Sequence, residues 1–112
     1  MAHQQHQSCI EACVACAQAC EHCADACLHE SDVAKMADCI RLDRDCAEIC
    51  WGAAAFMSRG SQFAQEFCRV CAEVCEACGA ECRAHQVDHC QSCADACDRC
   101  AEACRKMAGV AA

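Results

Sequence analysis

The chain has 112 residues, of which 19 are cysteine, four are glycine and none is proline, and its formal net charge is −8 at pH 7. This length fits one domain of ordinary size. The negative charge disfavours nucleic acid or an anionic membrane as a partner, and the sequence holds no run of about 18 apolar residues that could span a bilayer.

The cysteine content is that of a disulfide scaffold, but other features argue against one. The count is odd, and glycine and proline are too scarce for a loop-rich stapled fold. Residues 1–8, MAHQQHQS, are polar and no apolar segment follows, so we expect no signal peptide. A leaderless chain in a reducing cytosol keeps its thiols reduced, and its cysteines more often bind metal. We therefore expect a cytoplasmic, metal-binding protein.

Helix-forming residues without any proline predict helix along most of the chain. The predicted helices cover residues 5–29, 33–57, 62–85 and 89–107. Short connections between helices of similar length make neighbours antiparallel. The predicted fold is all-α: one up-down-up-down four-helix bundle over residues 1–112, with residues 1–7 as a disordered polar tail.

Three breaks separate these helices. Ser31 or Asp32 is a predicted N-cap of the second helix. Gly60 is a predicted helix stop, with Ser61 as the next cap. Asp88 with a glutamine three residues later resembles a capping box that starts the fourth helix.

The cysteines follow the spacing of a helix that packs in a bundle. Alternating steps of three and four place side chains on one buried stripe. The stripes are Cys9, Cys13, Cys16, Cys20, Cys23 and Cys27 on helix one; Met36, Cys39, Asp43, Cys46, Cys50, Ala53 and Met57 on helix two; Cys68, Cys71, Cys75, Cys78 and Cys82 on helix three; and Cys90, Cys93, Cys97, Cys100 and Cys104 on helix four. Thiols therefore occupy the core positions of all four helices.

Two plainer explanations fit this pattern less well. Cysteine packs as a small hydrophobe, but a core of thiols buries much less apolar surface than one of leucine. Disulfides within a helix are disfavoured, because Cβ atoms three or four residues apart lie about 5–6 Å from each other and a disulfide prefers about 3.8 Å. Disulfides between helices remain open on oxidation.

Charge selects the metal. A buried thiolate must be neutralised, and a soft monovalent ion at about one per thiolate leaves the core neutral. Four thiolates around a divalent ion leave two negative charges at each site, with no buried Lys or Arg to offset them. Soft thiolates also select Cu(I). We therefore expect multiple Cu(I) ions, with all nineteen cysteines as ligands. The C-x3-C-x2-C spacing at Cys9-Cys13-Cys16 and elsewhere is a weak iron–sulfur signal, because it repeats along helices that lack a cluster-wrapping loop.

From Cys9 to Met107, the repeated C-x3-C and C-x2-C steps within helices resemble the bacterial copper storage proteins, and the expected lack of an export signal resembles their cytosolic branch. The resemblance implies a bundle that holds many Cu(I) ions between pairs of thiolates, His and Met ligands near an open end, and a tetramer of bundles. The chain departs from this pattern on helix two, which has three cysteines. Asp43 occupies a stripe position there, and we expect it to lean to the rim or hydrogen-bond a neighbour rather than bind copper.

The two ends of the bundle differ. One end gathers His29, Met36, His85 and His89. Three of these continue the thiol stripes and are predicted ligands for loading and release: Met36, His85 and His89. His29 is off the stripe. The opposite end gathers bulky side chains that we expect to plug it: Phe56, Met57, Phe63, Phe67 and Met107, with Trp51 further in. Met107 is an alternative copper cap; His3 and His6 fall in the tail, and His22 on the surface.

A second apolar stripe flanks the thiols on helices two and three. It consists of Leu42, Ile49, Phe56, Phe63, Phe67, Val70 and Val74. The alternatives for this stripe are packing between helices two and three and a subunit interface. A core rich in thiols needs stability from elsewhere, so we expect a homo-oligomer. We predict storage without catalysis, with a copper chaperone or low-molecular-weight thiols as copper donors. The alternatives are storage of zinc or cadmium, an iron–sulfur electron carrier and a thiol redox buffer.

Overall fold

The structure, a computed structural model, describes residues 6–109 and consists of four long helices. They are α1 (Gln7–Cys27), α2 (Ala37–Ser58), α3 (Ala64–Arg83) and α4 (Asp88–Ala108). A 3₁₀ helix, Val33–Met36, leads into α2, which is why α2 begins later than predicted. Asp32 precedes this turn but makes no capping hydrogen bond through its side chain. The described residues contain no β-strand.

The first helix begins two residues after its predicted start at residue 5, but it includes a residue of the predicted tail. His6 is the N-cap of α1 and Gln7 is its first residue, so the disorder predicted as far as residue 7 is wrong at that point. The rest of the predicted tail, including His3, lies outside the described residues. Over residues 6–109, no helix combines the length and the hydropathy that a bilayer span requires.

Helices α1 and α4 run in opposite directions along the bundle. The start of α1 meets the end of α4 through Cys9 and Cys104, whose sulfurs lie 3.9 Å apart. The end of α1 meets the start of α4 through Cys23 and Cys90 at 3.8 Å. This pairing is antiparallel, as predicted.

The other two helices complete the same pattern. Cys39 and Cys82 lie 3.5 Å apart at one end of the α2–α3 pair, and Cys50 and Cys71 lie 3.7 Å apart further along it. Each helix packs against its two sequence neighbours in cyclic order, and the body measures 47 × 24 × 18 Å. The predicted four-helix bundle is confirmed.

Gly60 ends α2 as predicted. Its φ of 64° is left-handed, which favours glycine. The N–H of Gly60 donates to the carbonyl of Met57 and that of Ser61 to the carbonyl of Phe56, at 3.1 and 3.0 Å. These two hydrogen bonds together form a Schellman motif. Ser61 Oγ then accepts the N–H of Phe63 at 3.0 Å, but the N-cap of α3 is Phe63 and not the predicted Ser61.

The predicted capping box at α4 is wrong. Val87 is the N-cap, Asp88 is already helical, and no side chain caps the helix. Gln91 instead donates its amide to the carbonyls of Arg83 and His85, at 3.0 and 2.7 Å. These bonds satisfy carbonyls left open at the end of α3 and fix the α3–α4 connection.

The core consists chiefly of cysteine and alanine. All nineteen cysteines are buried and none is more than 5% exposed. Alanines such as Ala17, Ala47 and Ala94 are buried beside them. Because these side chains are small, the helices approach closely and their sulfurs meet on the bundle axis. The predicted cysteine-lined core is confirmed.

Candidate metal-binding core

All nineteen cysteines are free thiols, and they pack in one buried core cluster. Neighbours one helical turn apart approach without bonding: Cys16 and Cys20 lie 4.0 Å apart, and Cys23 and Cys27 lie 3.9 Å apart. A disulfide bond is about 2.05 Å long. The sulfurs therefore form a continuous, reduced set, which we call the thiol column.

The thiol column divides into overlapping groups of four. Within each group every sulfur lies within 4.8 Å of the others. The groups include Cys13, Cys71, Cys100 and Cys104; Cys16, Cys46, Cys50 and Cys75; Cys16, Cys20, Cys46 and Cys97; Cys20, Cys78, Cys93 and Cys97; and Cys23, Cys27, Cys39 and Cys90. Because groups share members, the column offers a run of linked positions rather than separate sites.

These distances suit soft metals in general. Two sulfurs on one ion lie at most about 4.6 Å apart and, in a tetrahedral site, about 3.8 Å apart. Sulfurs in the column lie in this range, for example 3.7 Å between Cys16 and Cys46 and 3.6 Å between Cys46 and Cys75. Geometry alone thus admits both a tetrahedral divalent ion and a bridging monovalent one.

Charge separates these two occupants. Asp43 is the sole polar or charged side chain buried in the described part of the chain. No buried cation is there to balance tetrathiolate sites, each of which carries two negative charges with a divalent ion. The core therefore fits singly charged ions shared between thiolates.

Burial keeps two metal-free thiols protonated at the end of the bundle that also carries His89. It raises the pKa of Cys27 to about 11, and it raises that of Cys90 as well. A low-dielectric interior disfavours the charged form of a thiol. Metal binding must then displace protons from these sulfurs.

Asp43 lies inside the thiol column. Its Oδ1 accepts hydrogen bonds from Cys78, Cys93 and Cys82 at 3.2, 3.3 and 3.5 Å, and Cys39 lies 3.7 Å from Oδ2. The expectation that Asp43 leans to the rim is wrong, since it is fully buried, whereas the expected hydrogen bonds to neighbours are present. Burial, followed by the nearby charge of Cys93, raises the pKa of Asp43 to about 8.

His89 is in contact with the thiol column. Its Nδ1 lies 3.4 Å from Cys23 Sγ and 3.6 Å from Cys90 Sγ. Its Nε2 lies 3.0 Å from the carboxylate of Glu30. A carboxylate on one ring nitrogen holds that N–H and leaves the other nitrogen as a lone-pair donor, as in histidine ligands of metals. His89 thus presents Nδ1 to the sulfurs.

The other predicted ligands at this end are placed differently. His85 Nε2 pairs with Glu81 at 2.8 Å, and no thiol lies within hydrogen-bonding range of its ring among the described residues. Met36 is 6% exposed and packs in the core cluster. His29 has a side chain 79% exposed and lies 3.8 Å from Asp25. The structure therefore brings His89 to the thiols but not His85 or His29. We call the end defined by Met36, His85 and His89 the mouth.

Sequence reasoning missed the two carboxylates that hold the histidines. Glu81 is four residues before His85 on one helix, a spacing visible in the sequence. Glu30 contacts His89 from the α1–α2 connection, and no local sequence pattern predicts that contact.

The opposite end is plugged on one side only. Phe56 and Phe67 stack with ring centroids 4.4 Å apart, and Met57, on α2, is fully buried. Phe63 and Trp51 do not contribute, because they are 58% and 41% exposed. Trp51 instead donates its indole N–H to Glu21 at 3.3 Å. Met107 is half-buried at the end of α4, and the exposed ring of His22 matches its predicted surface position.

A sequence model of the Csp copper storage proteins matches residues 2–109. The chain belongs to the copper storage protein family. Apo-Csp3 from Bacillus subtilis is 52% identical over 91% of this chain and 97% of that one, with a TM-score of 0.85. Cu(I)-bound BsCsp3 is 54% identical over 91% and 96%, with a TM-score of 0.88. A cytosolic copper storage protein from Streptomyces lividans, loaded with five coppers, is 43% identical over 97% and 96%, with a TM-score of 0.91. Among curated proteins no significant match was found.

Proposed function

We propose that this copper storage protein holds many Cu(I) ions reversibly in its thiol column, as one domain over residues 1–112, in the cytosol. The observation that carries the proposal is the overlap of the four-sulfur groups in a core where residues 6–109 supply no buried cation. The cytosolic storage protein of Streptomyces lividans supports the location. Storage of zinc is less favoured, because tetrathiolate sites would carry negative charge that no buried cation among residues 6–109 offsets. An iron–sulfur carrier is less favoured, because the cysteines lie along helices that lack a cluster-wrapping loop.

The proposed ligands are the nineteen thiolates together with residues at the mouth. His89 is the best supported of these, since its Nδ1 already lies 3.4 Å from Cys23. His85 and Met36 remain proposed ligands for ions that arrive or leave. Imidazole and thioether donors bind Cu(I) without adding negative charge, so an ion held at the mouth keeps its positive charge until it meets a thiolate.

Exchange of copper for protons accounts for reversibility. The metal-free thiols of Cys27 and Cys90 are protonated, because burial raises the pKa of each. Each arriving Cu(I) replaces protons and keeps the interior close to neutral. Storage of this kind needs no open coordination position for a substrate, and we propose no catalytic step.

We propose a copper chaperone or low-molecular-weight thiols as donors, and a homotetramer as the assembly. The outer faces of α2 and α3 carry Leu42, Ile49 and Val74 partly buried and Val70 48% exposed. A row of this kind, beside a core of small side chains, is suited to packing against a second copy.

A competition titration tests the function. Reduced, metal-free protein is mixed anaerobically with Cu(I) held by bathocuproine disulfonate, and the colour of the chelate is followed. We expect the protein to withdraw many copper ions per chain with unchanged helical circular dichroism. A variant with the five cysteines of α3 changed to serine should withdraw several fewer copper ions per chain. Failure of wild-type protein to compete contradicts the proposal.

A further inference from the structure

A cavity lies on the α1–α4 side of the plugged end, and the proposed storage function assigns it no role. It has a volume of about 630 Å³ and lies between the first turn of α1 and the last turns of α4. Its lining includes His6, Cys9, Arg99, Glu102, Lys106 and Met107. We call it the α1–α4 cavity. It is at the far end of the bundle from the mouth.

One wall of the cavity belongs to the thiol column. Cys9 is 5% exposed, whereas none of the other eighteen cysteines exceeds 1%. Its sulfur lies 3.9 Å from Cys104, which lies 3.6 Å from Cys13 and 4.0 Å from Cys100. A metal ion bound at Cys9 is thus in contact with the rest of the column. Cys9 is the thiol most open to a ligand from solvent.

The remaining lining selects the kind of ligand. Arg99 and Lys106 supply two cations against the single carboxylate of Glu102, which lies 3.4 Å from Lys106 Nζ. The rim is therefore net positive on a chain whose formal charge is −8. Such a rim attracts anions. The imidazole of His6 and the thioether of Met107 add soft neutral donors that suit Cu(I).

The size of the cavity excludes a folded partner. Small-molecule sites commonly have volumes of about 300–1,000 Å³. A ligand of a few residues fits this space, whereas a protein domain docks on a broad surface. The cavity thus combines small size, positive charge and an accessible thiol.

We propose that the α1–α4 cavity is a second port, where an anionic low-molecular-weight thiol exchanges Cu(I) with Cys9. This rests on the proposed storage of Cu(I). In the exchange a copper–sulfur bond to the small thiolate breaks and one to Cys9 Sγ forms. The proton of the Cys9 thiol passes to the released thiolate, and no electron is transferred. The port lies at the opposite end from His89.

A copper-free experiment tests the access. Reduced protein is treated briefly with limiting iodoacetate or iodoacetamide, and the labelled cysteine is located by peptide mass spectrometry. The sulfur of Cys9 displaces iodide and its proton goes to the buffer. We expect Cys9 to be labelled first. Arg99→Gln with Lys106→Gln should slow labelling by anionic iodoacetate several-fold and change labelling by neutral iodoacetamide less than twofold. First labelling at Cys23, Cys27 or Cys90 contradicts the proposal.

A transfer experiment tests the exchange. Copper-free protein receives Cu(I) from glutathione, which is anionic, or from cysteamine, which is cationic. The double variant R99Q/K106Q should accept copper from glutathione about three- to tenfold more slowly, with unchanged capacity and little change with cysteamine. The matched control is Lys35→Gln with Arg41→Gln, which removes two exposed cations near the mouth and should transfer copper from glutathione more than twice as fast as R99Q/K106Q.

The two proposals fail in different ways. If the wild-type chain takes up no Cu(I), storage is wrong, whatever the labelling of Cys9 shows. If uptake is normal but R99Q/K106Q and K35Q/R41Q have equal glutathione rates, the second port is wrong and storage stands.

Discussion

The carboxylate oxygen Oδ1 of Asp43 lies 3.2 Å from Cys78 Sγ, within a core otherwise filled by thiols and methyl groups. A buried carboxylate without a cation is unfavourable in its charged form. Burial accordingly raises the pKa of Asp43 from 3.8 to about 8. The neutral acid needs no buried cation to balance it.

This raised pKa makes the copper-free protein less stable as pH rises. The folded state keeps the Asp43 proton that the unfolded chain releases near pH 4, so the stabilisation is complete below about pH 4 and is lost as pH rises through about 8. Between pH 5 and pH 8 the loss is about 3 kcal/mol. Urea unfolding of reduced protein should show this slope, and Asp43→Asn should flatten it. The wild-type and Asp43→Asn proteins contain the same histidines. Parallel pH profiles of their unfolding free energies therefore contradict the assignment of this slope to Asp43.

His89 should control the rate of loading rather than the capacity. Its Nδ1 faces Cys23, whereas the ring of His29 is exposed beside Asp25. His89→Ala should slow Cu(I) uptake from a chelator about tenfold in stopped-flow absorbance, because each ion loses a neutral ligand ahead of the thiols. Final capacity should change by about one ion or less. His29→Ala is the control and should load at the wild-type rate; equal rates in all three proteins contradict a role for His89.

Gly52 is required by the aromatic plug. A Cβ at this position would lie 2.8 Å from Phe67 Cζ, and that ring is stacked on Phe56. Gly52→Ala gains about 1 kcal/mol in helix propensity but forces the ring aside, at a cost of about 1–3 kcal/mol. We expect a net loss of about 1 kcal/mol in urea unfolding. The same change in a Phe67→Leu background should be stabilising, and additive effects in the double variant contradict the contact.

The number of protons released per bound copper should change as the protein is loaded. The first ions, held by two protonated thiols each, should release about two protons per copper, and the mean should fall toward about one as thiolates become shared. A pH-stat titration of reduced protein measures this. A constant ratio near zero contradicts a protonated resting core, which the raised pKa of Cys27 supports.

Much of the fold followed from the sequence, because its signals are local. Steps of three and four between cysteines place the sulfurs on one face of each helix, and Gly60 supplies the left-handed residue that ends α2. The cap at α4 was mispredicted, since Gln91 binds carbonyls of the preceding helix. That choice depends on how α3 and α4 meet, which spacing does not show.

The site was less fully predictable where tertiary contacts decide it. His85 and His89 both continue thiol stripes, but Glu81 holds the first and Glu30 orients the second toward Cys23. Asp43 was expected either to lean to the rim or to hydrogen-bond a neighbour, and only the second is observed. The stripe position nevertheless placed it where four thiols surround it.

A count of bound metal tests the central claim most directly. Reduced protein is saturated anaerobically with Cu(I) or Zn²⁺, desalted, and analysed for copper, zinc and sulfur by elemental analysis. A shared, charge-neutral column predicts about one copper per thiol and far fewer zinc ions. Saturation with Cu(I) at only about four or five ions, each with four thiolates, would contradict it.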